Sequence, residues 1–301
     1  MKEHVVAVIV HWRDVADTLG CVASLAAESG VEILVVDNGS QEPIAEALAG
    51  HPVTCLASGE NRGYAGGGNL GIRAALSRGA STVLLLNNDA RVTPGATAAA
   101  TRLLGSDPRI AAVGAKVLSR TEPGRLWLAW GEVTWGPSLV ALHGAGELDG
   151  PSYGTPRPVD WIAGCAMWLR AEALAAIGLL DEEFFAYHEE VDWCTRARAA
   201  GWCVVYCPTA VVLHRGGGVA GGPGAIRIRK YFAARNSILF ARRHGSRLQR
   251  LRLVGGLATR LPLELLWHVP RGTAGEVLWK LRGVRDGLTG RRPPFEALGL
   301  W

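Results

Sequence analysis

The sequence predicts an α/β chain: a Rossmann-like, mostly parallel central sheet flanked by helices, with a helical extension at the C-terminus. Three observations predict it. Apolar, β-branched runs alternate with amphipathic stretches four times in the N-terminal third. Those runs are apolar almost without interruption, which is how strands covered on both faces read. From Ile226 onward the chain becomes arginine-rich at helical spacing.

The elements follow in order. Residues 4–11, HVVAVIVH, read as a buried strand. Asp14 caps a helix that runs to about residue 29, with Val15, Leu19, Val22 and Leu25 on one face. Residues 31–36, VEILVV, make a second strand ending at Asp37, and residues 53–57 a weaker third. Residues 66–78 open as a glycine-rich turn and continue as a helix. Residues 82–87, TVLLLN, form a fourth strand that ends at Asn87-Asn88-Asp89, and Thr93-Pro94 cap and start the next helix. Further on, residues 126–135 and 159–170 read as Trp-rich strands. A helix runs from about residue 189 to 200 and stops at Gly201, and residues 203–213 give one or two strands broken at Pro208. Residues 216–224 hold six glycines in nine positions, a flexible loop expected to order over a bound ligand. The expected domains are residues 1–225, catalytic, and 226–301, a basic helical extension.

Composition narrows the class. Hydrophobic residues are 49%, charged residues 20% and Gly 39 of 301, a globular composition that excludes disordered and collagen-like chains. No apolar run reaches the ~18 residues of a spanning helix, and residues 5–10 are too short for the core of a signal peptide. The expected location is therefore cytoplasmic. Six cysteines without a CxxC pair fit buried thiols in a reducing compartment. The net charge of +5 conceals an asymmetry: residues 226–301 carry 16 Lys/Arg against 4 Asp/Glu, a net of +12, while residues 1–225 hold the other 16 and 23, a net of −7. An acidic body with a basic tail calls for an anionic partner of the tail. Arg247, Arg250, Arg252 and Arg260 are interspersed with leucines, and Trp267 and Trp279 follow, so a membrane surface suits the tail; the other reading packs the leucines inward. No aromatic–basic pattern of a nucleic-acid module is present, and nucleic acid is not expected as a partner.

Ligands of such sheets bind at the carboxyl ends of strands, which makes Asp37 and Asp89 candidates for one site. Asp89, after Asn87-Asn88, is suited to a Mg²⁺ or Mn²⁺ ion bridging phosphates, although a polar turn would look the same. His188-Glu189-Glu190-Val191-Asp192 places three carboxylates at a helix start behind an aromatic run. The helix dipole favours them there, and apolar surroundings would tune one of them toward a general base. His214 ends an apolar strand just before the glycine loop. Residues 66–71, GGGNLG, formally match GxGxxG, but they do not directly follow a strand, and the first strand–helix turn is His11-Trp12-Arg13-Asp14, without glycine.

Seven blocks in order resemble glycosyltransferase family 2, the inverting enzymes of GT-A fold, and especially its rhamnosyltransferase-like branch. They are VIVHW (8–12), VVDNGS (35–40), ENRGYAGGGNLGI (60–72), LLLNNDA (84–90), VDWIAGCAMWLR (159–170), IGLLDEEFFAYHEEVDWCTRARAAGW (177–202) and VVLHRGGG (211–218), and they cover about residues 4–245. The resemblance implies transfer of a sugar from a nucleotide-sugar donor, with L-rhamnose from dTDP-L-rhamnose favoured by the branch, to a glycan or lipid-linked acceptor in cell-envelope synthesis. It implies donor contacts at His11, Asp37, Asn61, Gly63, Asn87, Asp89, Asp160 and Trp161. It also implies a divalent metal, Mg²⁺ or Mn²⁺, at Asp89 and His214, and a catalytic base at Glu190 with Asp192 as rival. The metal motif here is Asn-Asn-Asp, so only Asp89 brings charge. The base is Glu rather than Asp.

Overall fold

The computed structural model describes residues 3–41, 44–216 and 224–300. In chain order the elements are β1 (Val5–His11), α1 (Val15–Ala26), β2 (Val31–Asp37), α2 (Ile44–Ala47), β3 (Val53–Ala57), α3 (Gly63–Ser77), β4 (Thr82–Asn87), β5 (Ala90–Val92), α4 (Ala96–Ser106), β6 (Ile110–Ser119), β7 (Leu126–Leu128), β8 (Trp130–Val133), β9 (Val140–His143), β10 (Arg157–Pro158), β11 (Ala166–Arg170), α5 (Ala171–Ile177), α6 (Glu189–Ala199), β12 (Cys203–His214), α7 (Ala225–His244), α8 (Arg247–His268), α9 (Ala274–Thr289) and α10 (Phe295–Leu298). The described residues fall into two compact units. One comprises residues 3–41, 44–132, 142–185 and 189–216; the other gathers 133–141, 186–188 and 224–300.

The first unit is built on a large mixed sheet of order β10-β12-β6-β11-β4-β1-β2-β3, with β5 on β12 and β7 on β6. Strands β3, β2, β1 and β4 run parallel, as do β6 and β12, while β11 lies antiparallel between β4 and β6. β1 is buried along its whole length, as its unbroken apolar run requires. α1 is capped by the Asp14 carboxylate, which accepts from the Asp17 amide at 3.1 Å. Its buried face is Asp17, Thr18, Cys21, Val22 and Leu25, so an acid stands where the pattern of apolar residues gave none.

Several expectations change here. The glycines at 66–68 do not make a turn: α3 begins at Gly63 and carries them inside it. A Cβ on Gly67 would meet Val10 Cγ1 at 2.8 Å, and one on Gly71 would strike Val8 and come within 3.1 Å of Val36. Close approach of the helix to β1 and β2 outweighs the low helix propensity of glycine. α4 starts at Ala96 rather than at Thr93-Pro94, because Glu28 at the end of α1 supplies the cap, accepting from the amides of Gly95 (2.7 Å) and Thr97 (2.9 Å). The Trp-rich stretches are shorter strands than expected, with Trp161 joined to Gly131 only by an isolated bridge. Residues 203–214 are one strand, not two. Its pairing with β6 steps from Cys207–Ala115 directly to Val211–Lys116, so Pro208 sits in a bulge of three extra residues, where its missing N–H costs no ladder bond. Most of the glycine loop expected at 216–224, namely 217–223, lies outside the described residues.

In the second unit α7 and α9 pack with backbones close. A Cβ on Gly287 would lie 2.8 Å from the Arg235 carbonyl oxygen, and Tyr231 donates to Asp286 at 3.1 Å. Asn236 of α7 donates to the carbonyls of Ala186 (2.8 Å) and Tyr187 (2.7 Å). Non-glycine residues Tyr187 and His188 have φ of 68° and 72°, a strained conformation that such bonds hold in place. α8 buries only Leu253, Leu257 and Leu261.

Candidate active site

His11, Asp37 and Asn87 end three neighbouring strands. His11 pairs in register with Asp37, and Asn87 with Val10, so all three stand at the carboxyl ends of their strands, with Asn87 on the opposite face of the sheet from His11 and Asp37. Two steps past β4, Asp89 lies 2.9 Å from the Nε2 of His214, the last residue of β12. Asn87 Nδ2 is 3.2 Å from the same nitrogen. His214 is buried, and the edge of its ring meets Trp127 at a centroid distance of 4.4 Å. Among the described residues its buried Nδ1 has no hydrogen-bond partner. Burial works to raise the Asp89 carboxyl, but the hydrogen bond and charge of His214, with the charge of Arg215, outweigh it and hold the carboxyl below its ordinary value.

Behind Asp89 lies a set of arginines. Buried Asp17 takes Arg91 (3.3 Å), Arg120 (3.0 Å) and Arg215 (2.9 Å), and Arg215 also reaches Asp14 at 2.9 Å. Arg120 donates to the Asp89 carbonyl at 3.0 Å, and the Arg215 amide does so at 3.3 Å. The main chain of Asp89 is thus fixed from two sides while its side chain faces His214.

Across the site stands the start of α6. Glu189 is buried and Glu190 half-buried, and Glu190 packs along Gly164, where an added Cβ would meet its Cβ, Cγ and Cδ at 3.5–3.6 Å. Burial, then the Glu190 charge, push the Glu189 carboxyl well above the usual carboxylate range. Tyr64 ties the two sides together. Its hydroxyl donates to the Gly164 carbonyl at 2.7 Å, and burial, together with the charges of Glu189, Glu190 and Asp89, raises it well above its ordinary value. The Cys165 thiol is raised by burial, then by Asp89 and Glu190. Both side chains therefore lie within electrostatic reach of Asp89 and Glu190. Asp192 is fully buried and holds Arg196 at 2.8 Å, that guanidinium donating to the carbonyls of Ile177 and Leu179, and its charge also acts on Glu189.

The remaining candidates fall in two groups. Asp37 accepts from the amide and hydroxyl of Ser40 at 2.9 and 2.7 Å. Beside it Asn38 donates to Asn61 (3.2 Å) and to the Gly63 carbonyl (3.0 Å), and Asn61 accepts from the Gly63 amide (3.0 Å). Gly63 has φ +69° and stands against Phe185, where a side chain would collide. Asp160 is paired with Arg198 at 2.8 Å. Trp161 lies buried over Gly131, with no room for a Cβ between them. Reasoning from sequence did not single out Asp17, Asn38, Tyr64, Arg120 or Cys165. An acid on the inner face of α1 was a usable signal for Asp17; Tyr64 and Arg120 gave none.

Asp89, the amide oxygen of Asn87 and His214 form a small donor set rich in oxygen. No group of three His, Cys, Asp or Glu that could hold a metal occurs among the described residues. Asp89, Asn87 and His214 could hold a divalent cation only together with further ligands such as phosphate oxygens and water. Chemically, the site pairs an acid held ionised at Asp89 with the buried Glu189 carboxyl across from it, whose surroundings favour the proton, and Glu190 beside that.

Residues 6–163 match the family model described as Glycosyl transferase family 2. The chain is 31% identical over 217 residues to an N-acetylglucosaminyl-diphospho-decaprenol L-rhamnosyltransferase of Mycobacterium tuberculosis, covering 64% of this chain and 68% of the relative. It is 30% identical over 225 residues to the galactofuranosyltransferase GlfT1 of the same organism, covering 71% of each. Among solved structures, a mannosyltransferase from Pyrobaculum calidifontis in complex with GDP-Man and Mn²⁺ matches with a TM-score of 0.59 at 15% identity, over 97% of this chain and 89% of that one, a likeness of fold.

Proposed function

The chain belongs to glycosyl transferase family 2, and from that premise we propose that it is an inverting transferase moving L-rhamnose from dTDP-L-rhamnose to a hydroxyl of a lipid-linked glycan. Transfer from a nucleotide-sugar donor follows from the family. The choice of sugar and of a diphospho-polyprenol acceptor is supported by the rhamnosyltransferase relative. The galactofuranosyltransferase at similar identity keeps a second donor in the test.

The observation that carries the reading is Asp89 with His214 on one side of the site and Glu190 along Gly164 on the other. In the proposed reaction the acceptor oxygen attacks the anomeric carbon as the bond to the diphosphate breaks, and the hydroxyl proton passes to Glu190. A divalent cation held by Asp89 and His214 would neutralise the charge that grows on the departing diphosphate. Glu189, next to Glu190, is held toward its protonated form by burial and by the charge of that neighbour. Asp37 and the Asn38–Asn61–Gly63 cluster, at the ends of the neighbouring strands, would receive the nucleoside. Asp192 is assigned a structural role on the strength of its pairing with Arg196.

The test is a screen of nucleotide sugars for acceptor-dependent release of nucleoside diphosphate, with and without chelator. The reading expects dTDP-L-rhamnose to be the best donor, and Asp89→Asn to lose about 10²–10³ in rate, the usual loss for one group stabilising a developing charge. Full transfer after chelation would remove the cation. A preference for a UDP- or GDP-sugar would move the donor assignment and leave the mechanism standing.

A further inference from the structure

We propose that the outward face of α8, continued by the turn after it and by α9, is a docking surface for an anionic lipid bilayer. α8 has two apolar stripes. Leu253, Leu257 and Leu261, four residues apart, are buried. A second stripe runs through Leu248, Leu251, Gly255, Thr259, Pro262 and Leu266 at spacings of three and four, the helical repeat. There Leu248 is 76% exposed, Leu251 70% and Leu266 72%, with Leu263 at 67% beside them. Trp267 is exposed at the C-terminal end of the helix with the Arg271 guanidinium 3.6 Å above its ring, followed by exposed Val269. α9 adds exposed Leu278, Leu281 and Leu288.

Along α8 the uncompensated charges are positive; α9 adds Glu276, two residues before Leu278. Arg247 and Arg252 flank the stripe, both exposed. The one acid of α8, Glu264, is consumed by Arg260 at 2.7 Å and Lys280 at 2.8 Å and is mostly covered. An apolar ridge bordered by cations, with an indole at its end, fits a layer that is anionic at its surface and hydrocarbon beneath. A second copy of this chain would bring Arg247 and Arg252 against like charges in a symmetric contact. Nucleic acid would leave the leucines in water. Pro262 stands inside the helix, and no helix of the described residues is long and apolar enough to cross a membrane, so α8 would lie in the interface.

The experiment uses the full chain and mixed phosphatidylglycerol–phosphatidylcholine vesicles, with phosphatidylcholine alone as reference. Co-sedimentation is expected with the anionic vesicles at low salt, falling at high salt and absent with the neutral ones. Leu251→Glu and Leu266→Glu should each lower the partition constant roughly tenfold or more, the scale of one leucine returned to water. Arg252→Glu should cost less, and its effect should vanish at high salt. Two controls, the thermal midpoint and nucleoside diphosphate affinity, should be unchanged, since none of these side chains belongs to the catalytic site. Wild-type protein left in solution with anionic vesicles overturns the proposal. So does binding indifferent to both leucine variants, or sedimentation velocity showing an oligomer that the same variants dissolve. A chain that pellets but binds no nucleoside diphosphate would instead defeat the glycosyl-transfer reading and leave the docking surface intact.

Discussion

The acids beside β4 and the acids that open α6 are both deep in the fold, and they are treated in opposite ways. Asp17 is surrounded by Arg91, Arg120 and Arg215, and Asp89 faces His214. Glu189 has burial and its neighbour Glu190 against it, and its carboxyl moves up where that of Asp89 moves down. Burial is common to both places, so counter-charge decides the sign. A compensated acid stays ionised and can serve cations and phosphates; one pressed by another carboxylate holds its proton and hands the charge to its partner.

The largest expected effect bears on the α6 side. Glu190→Gln should lower transfer by about 10²–10⁴, the usual cost of a lost general base, with nucleoside diphosphate affinity kept. If Glu190→Gln transfers normally while Asp192→Asn is dead, the base is Asp192 and the contrast must be redrawn. Next, Asp17→Asn should destabilise the fold by about 3–5 kcal/mol in urea unfolding, because three guanidinium groups lose a buried partner. A loss under 1 kcal/mol, the ordinary worth of an exposed ion pair, would mean that the arginines are satisfied elsewhere.

His188 extends the contrast to a base. Burial pushes its imidazole down from 6.5 to about 4. The unfolded chain therefore binds the proton more tightly, and the stability this represents is complete above pH 6.5 and is lost as the pH falls toward 4. The loss is about 3 kcal/mol over that window. His188→Asn, whose side chain tolerates the positive φ, should flatten that acid limb in unfolding measured between the two pH values. The smallest effect is a gain. The Glu189 carboxyl is raised in the folded chain, so it costs stability increasingly as pH rises above its unfolded value. Glu189→Gln should stabilise by on the order of 1 kcal/mol at neutral pH and by more at pH 8. A gain that shrinks with pH would place the proton on Glu190 instead.

How far the sequence led depends on whether the governing contact was local. Strand ends at Asp37 and Asn87, the cap at Asp14 and the helix from Glu189 follow from runs, caps and stops that neighbours along the chain determine. α3 was misread at its start because glycine next to glycine signals a turn, whereas here Val8 and Val10 of a strand more than fifty residues away leave no room for a side chain. The antiparallel insertion of β11, the cap that Glu28 lends to α4 and the arginines gathered on Asp17 are long-range pairings, which no period or spacing encodes. The burial of Trp161 over Gly131 is of the same kind: its name and its neighbours resemble a contact residue, while its surroundings are set by a bridge thirty residues back.

The bulge in β12 has a consequence for how this chain tolerates change. Between Cys207 and Val211 the strand advances four residues while β6 advances one, and His214 is placed only after that slip. The three residues between Cys207 and Val211 fall outside the pairing with β6, while His214 is held in register beyond them by Ser119 of β6 and Ala90 of β5. Residues 208–210 are therefore where this strand can absorb a change of length without turning the imidazole from Asp89. A residue gained or lost between Val211 and His214 would shift the register by one and send the imidazole to the opposite face, although no residue of the site had been altered. Insertions and deletions in this strand should therefore gather at 208–210.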